Sequence, residues 1–198
     1  MLLRIVRVRK LTSKYFAAFG FIAVLFAIAV SMATAAQDKY TVAVQGGLAF
    51  SEFRGYEDWQ PVSVSKTDRA ISMILANPVM IEAFRSGIPG NGKPFPDGSK
   101  ITKLHYKPLK SGDAPNPTTE VPGTLVNIDF IEKDSKRFPD GDSGGWGYAV
   151  FDYNAASDTF TPGNENDTPP QSNDARCGVA CHSIAQAKNY IFTEYSKR

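Results

Sequence analysis

Near its C-terminus the chain reads Cys177-Gly178-Val179-Ala180-Cys181-His182. Two thiols followed at once by an imidazole are the side chains that covalent haem attachment uses. Each thiol can add to a vinyl group of the porphyrin, and the adjacent histidine then ligates the iron. The spacing is C-x-x-x-C-H, one residue longer than the usual C-x-x-C-H. Two other chemistries use the same residue types. These are the only cysteines, so an exported protein could pair them in a disulfide, although thiols four apart on a helix strain that geometry. A zinc site would also need carboxylates, because His105 is the only other histidine. Haem attachment is the expectation, and an exported structural or interaction domain with a local disulfide is the alternative.

The opposite end reads as an export signal. Arg4, Arg7, Arg9, Lys10 and Lys14 precede an apolar run from Phe16 to Val30, and Ala33-Thr34-Ala35 supplies small residues for cleavage. The run has fifteen residues, whereas a membrane span needs about 20. Residues 1–35 are therefore expected to be a cleaved signal peptide rather than an anchor, leaving 36–198 as one periplasmic domain. Cleavage takes five of the 22 Lys and Arg and leaves 17 against 20 Asp and Glu, about −3. The basic precursor thus implies no nucleic-acid partner. The remaining length suffices for one domain with a real core.

Several elements must position the motif. Tyr40 to Val44 is a β-prone run, and Phe53 to Trp59 suits a short helix ending before Pro61. Thr67 or Asp68 can cap a helix carrying Ile71, Ile74 and Leu75. Asn77 then caps a second helix, with Pro78 in its first turn, Met80, Ala83 and Phe84 on one face and Gly87 at its end. Lys100 to Lys107 alternates as a strand, with Thr102, Leu104 and Tyr106 on one face and Ile101, Lys103 and His105 on the other. Thr124 to Lys133 and Trp146 to Tyr153 are further strands. Between them, Ser111 to Gly123 is a Pro-rich excursion and Thr161 to Asn173 a polar loop. The final segment predicts a helix capped by Asp174, with Ile184, Ala187, Ile191, Phe192 and Tyr195 in one apolar stripe. The expected class is α+β: a small antiparallel sheet with packed helices, and haem between the sheet and the C-terminal helix.

From about Trp59 onward the chain resembles the cytochrome P-460 family, which includes the cytochromes c′-beta. The resemblance rests on Asp58-Trp59-Gln60, Asn77-Pro78-Val79-Met80 and Phe95-Pro96-Asp97-Gly98 leading into Lys103. It also rests on Lys133-Asp134-Ser135-Lys136-Arg137-Phe138, on Gly144-Gly145-Trp146-Gly147-Tyr148 and on the terminal Cys–His run.

The resemblance implies a sheet-rich cytochrome, usually a homodimer, with one covalently attached haem c. His182 would be the proximal iron ligand, and Cys177 and Cys181 the thioether anchors. The P-460 branch oxidises hydroxylamine and carries a lysine-to-haem cross-link, for which Lys103 is the candidate. The c′-beta branch binds nitric oxide or related gases at a five-coordinate haem with an apolar distal pocket. His105 shares the strand face of Lys103 and would lie near the same site, to shuttle protons or ligate iron. A distal carboxylate would act as base; Asp129, Glu132 and Asp152 lie on predicted strands, and without a register none is selected. Hydroxylamine oxidation, to nitrous oxide or NO-level products, is the expected function, with a periplasmic electron acceptor such as a small cytochrome. Gas binding without turnover is the first alternative. Electron transfer is the second, and would need Met73, Met80, His105 or a lysine as sixth ligand.

Overall fold

The computed structural model describes residues 36–112, 118–139, 141–163 and 175–196. Within these, the alternating runs form one antiparallel sheet of six strands in sequential order. They are β1 (Gln60–Lys66), β2 (Ile71–Ala76), β3 (Lys100–Lys110), β4 (Glu120–Lys133), β5 (Trp146–Asn154) and β6 (Thr159–Pro162). Two α-helices accompany the sheet, α1 (Pro78–Arg85) and α2 (Ala175–His182), with 3-10 turns at Lys39–Thr41, Phe50–Phe53, Tyr56–Asp58 and Ser183–Lys188. The α+β class therefore holds, with the sheet dominant. The expected signal peptide and the Asp174 cap lie outside the described residues, as does part of each polar loop. No helix among the described residues is long and apolar enough to cross a membrane.

Strand parity gives the sheet two different faces. One carries Leu75, Leu104, Ile128, Phe130, Ala149 and Phe151, and the N-terminal segment closes over it with Phe50, Phe53 and Tyr56. Phe53 stacks on Phe130 with ring centroids 4.0 Å apart, and Phe50 meets Phe130 and Phe151 edge-on. The other face carries Ile74, Ala76, Ile101, Ile131, Trp146 and Tyr148, and is covered by Met80, Ile81 and Phe84 of α1, by Phe95, and by Tyr190 and Ile191. Helix α1 starts as expected: Pro78 occupies its first turn and the Asn77 side chain accepts from the Met80 amide at 3.0 Å.

Three expectations are corrected. The run Ile71–Ala76 is a strand, not a capped helix, and Met73 moves with it. Its apolar residues fit helical spacing, but the run is only six residues long and pairs with β1 and β3 on its two sides; periodicity alone does not separate such a strand from a helix. Tyr40 to Val44 forms a 3-10 turn and one bridge, Ala43 to Ala49, rather than a strand; the short helix expected within Phe53 to Trp59 is the 3-10 turn Tyr56–Asp58.

The third correction is at the C-terminus. Helix α2 ends at His182, a 3-10 turn carries the chain to Lys188, and Asn189 and Tyr190 are left-handed, at φ 51° and 66°. The chain therefore reverses instead of continuing the stripe: Ile191 is buried, while Ile184 is 81 % exposed. Asn189 anchors the reversal, its Oδ1 accepting from the Phe95 amide at 2.8 Å and its carbonyl accepting from Trp146 Nε1 at 3.1 Å.

Candidate functional site

Helix α2 lies on β5 because Gly178 lacks a side chain. A Cβ there would fall 2.5 Å from Cγ of Tyr148, far inside contact distance. Residue 182 is four positions further along, on the same side of the helix, so the His182 ring also meets Tyr148, at 5.0 Å between centroids. Cys177 and Cys181 occupy the adjoining side, and both thiols are exposed and free. The disulfide alternative is not formed. Among the described residues no cluster of His, Cys, Asp and Glu could hold a metal ion by itself, which leaves the zinc reading without a ligand set.

The reversal at Tyr190 completes the histidine. His182 Nδ1 lies 2.6 Å from the Tyr190 carbonyl. A carbonyl only accepts, so Nδ1 carries the proton and Nε2 keeps its lone pair, the arrangement that a metal-ligating histidine uses. Burial lowers the pKa of His182; the Tyr190 carbonyl opposes this, and the Lys103 ammonium adds to the lowering. The ring is thus held neutral, as a ligand must be. Phe192 packs against its other side at 5.2 Å.

In front of His182 lies a cavity lined by Ile74, Ile101, Lys103, Asp129, Ile131, Ile191, Phe192 and Thr193. The register explains why two charges meet there. Ile74, Lys103, Asp129 and Val150 are successive cross-strand partners on β2 to β5, and therefore share one face. Lys103 and His182, read from distant parts of the sequence, are brought together, and Asp129 joins them.

His105 does not line the cavity. Its Nε2 lies 2.8 Å from Asp129 Oδ2, and its Nδ1 3.0 Å from the Ser72 hydroxyl. Among the three carboxylates that the sequence left open, the register selects Asp129. Glu132 is on the opposite face beside Lys100, at 3.1 Å, and Asp152 is an exposed residue of β5 outside the cavity lining. Met80 is buried in the core, as expected of a filler, and does not line the cavity.

The segments that carried the resemblance build the frame. Asn77 accepts from the Lys100 amide at 3.0 Å and donates to the Gly98 carbonyl at 2.8 Å, fixing the start of β3. Asp97 receives the Ser135 amide at 3.0 Å and its hydroxyl at 2.7 Å, joining the Phe-Pro-Asp-Gly loop to the segment after β4. At Gly144, φ is +59° and a Cβ would fall 1.9 Å from the Tyr190 ring, so only glycine lets the reversal seat. The family model Cytochrome P460 matches residues 53–193. The chain belongs to that family. No curated protein sequence matches it.

A cytochrome P460 is a haem protein, and this site fits the group. It offers an imidazole with a bare Nε2, two free thiols on the same helix, and apolar walls of Ile74, Ile101, Ile131 and Phe192. Tyr148 adds a buried hydroxyl without a partner among the described residues, and burial pushes its phenol well above the usual range. Neither Gly178 nor the Asn189–Tyr190 reversal was anticipated. The asparagine was the available signal, since it tolerates the left-handed region better than most residues.

Proposed function

We propose that this cytochrome P460 is an exported, periplasmic, homodimeric mono-haem protein that oxidises hydroxylamine. Cys177 and Cys181 hold the haem as thioethers, and His182 Nε2 ligates the iron. Held there, the haem would supply the redox chemistry, taking the substrate's electrons on to a periplasmic acceptor such as a small cytochrome. The observation that carries this reading is the direct pairing of Lys103 with Asp129 on the wall of the cavity that His182 enters. Asp129 is the base for the N–H protons of hydroxylamine, a role that requires a carboxylate within reach of the bound nitrogen. Lys103 is the residue for the covalent link to the haem. Ile74, Ile101, Ile131 and Phe192 limit water access to the reacting side.

The test is hydroxylamine oxidation by the holoprotein and by its Asp129→Asn and Lys103→Ala variants. Loss of general-base assistance is worth about 10²–10⁴-fold, so Asp129→Asn falls by that order, and Lys103→Ala changes both rate and spectrum. Unchanged oxidation in both variants refutes these assignments. The apolar walls favour a second reading, a nitric oxide or gas binder without turnover; tight nitric oxide binding with no hydroxylamine oxidation would establish it.

A further inference from the structure

We propose that Ser72, His105 and Asn127 form a clamp that holds the Asp129 carboxylate in one orientation at the cavity wall. They are positioning residues for the chemistry proposed above, and the inference rests on that reading of the cavity as the ligand side of the haem. Both oxygens of Asp129 receive a donor: His105 Nε2 reaches Oδ2 at 2.8 Å, and Asn127 Nδ2 reaches Oδ1 at 2.8 Å. An ionised carboxylate only accepts, so His105 carries its proton on Nε2. Its bare Nδ1 then accepts from the Ser72 hydroxyl at 3.0 Å, which fixes the tautomer. Ser72 is 5 % exposed, so solvent does not compete for that bond.

The sheet makes the clamp rigid. Ser72, His105 and Asn127 are successive cross-strand partners on β2, β3 and β4, and Asp129 follows Asn127 by two residues on the same face. Lys103 sits directly opposite Asp129 on β3, the Asp152 carboxylate is the cross-strand partner of Asn127 on the same face, and the neutral His182 ring lies across the cavity. Serine, histidine and aspartate also compose the nucleophilic triad of hydrolases, but here the order is reversed. The serine is buried within a paired central strand, and the carboxylate is the member that reaches the cavity.

Infrared spectroscopy of the ferrous holoprotein saturated with carbon monoxide tests the clamp without turnover, because the C–O stretch responds to charge beside the bound gas. The native protein gives one narrow band, and Asp129→Asn displaces it. Ser72→Ala and His105→Ala broaden or split the band as Asp129 gains orientations, and His105→Gln, which restores a donor, recovers much of the native band. Hydroxylamine oxidation falls about ten- to a hundredfold in His105→Ala, in kcat rather than KM. The clamp is overturned if Asp129→Asn leaves the band in place, or if Ser72→Ala gives the native band and rate. Should His105→Ala fail to fold, those two variants carry the test. Band changes in the variants of a native protein that does not oxidise hydroxylamine uphold the clamp and refute the proposed function. A native protein that oxidises hydroxylamine at rates the clamp variants share does the reverse.

Discussion

The two faces of the sheet come from the same strands and do opposite work. On the closed face, alternate residues are aromatic or aliphatic, and the Phe50, Phe53 and Tyr56 side chains seal them from water. On the open face the same alternation delivers Lys103, Asp129 and His105 between Ile74, Ile101 and Ile131, and the cover is the C-terminal reversal with His182. Two acidic residues of β4 show the contrast. Asp129 faces the cavity with a donor on each oxygen. Glu132, on the other face, keeps one oxygen buried without a hydrogen-bond partner among the described residues. Burial raises its pKa, the Lys100 ammonium opposes this, and the Glu52 carboxylate adds to the rise. A sheet can thus keep its stability and its chemistry on separate sides.

If that division is right, substitutions on the two faces have separable effects. Phe50→Ala opens a void in the closed core and costs about 3–5 kcal/mol, whereas Lys103→Ala changes stability by only about 0.5 kcal/mol while altering the haem spectrum. Urea denaturation of both holoproteins, read beside their spectra, checks this; a large stability loss in Lys103→Ala would break the comparison. Gly144→Ala comes next. Its Cβ meets the Tyr190 ring in a left-handed residue, so about 1–3 kcal/mol is lost and the His182 environment shifts, seen as a changed Soret band. Gly178→Ala lifts α2 from Tyr148 and shows the same spectral change with a smaller stability loss.

The smallest effect is a pH slope. Glu132 has a folded pKa above the ordinary glutamate value of 4.5, so just above that pH the folded protein holds a proton that the unfolded chain has released. Its contribution to stability therefore falls as pH rises through that window. Glu132→Gln flattens the slope, measurable by denaturation from pH 4.5 to 7; an unchanged slope would show that Glu132 is not its source.

Much of this was legible in the sequence. The alternation of Lys100 to Lys107 placed Lys103 and His105 on one face, Asn77-Pro78 marked the start of α1, and the Cys–His run located the motif on a helix. What stayed hidden depended on register or on turns. Asp129 is distinguished from Glu132 and Asp152 only by which residue it opposes, and pairing across a sheet is not written in local pattern. Ile71 to Ala76 misled because a strand buried on both faces shows no clean alternation. The C-terminal stripe misled because Ile191 and Phe192 fit helical spacing, while their side chains reach the core and the cavity through a left-handed reversal at Asn189 and Tyr190.

The central claim is that Lys103 and His182, which line one cavity, would hold the same haem. The optical spectrum of the purified holoprotein, reduced with dithionite, tests it most directly when recorded beside that of Lys103→Ala. A strongly red-shifted Soret band in the native protein that reverts in Lys103→Ala to an ordinary five-coordinate c-type spectrum is the predicted result. An ordinary five-coordinate c-type spectrum in both proteins would contradict it.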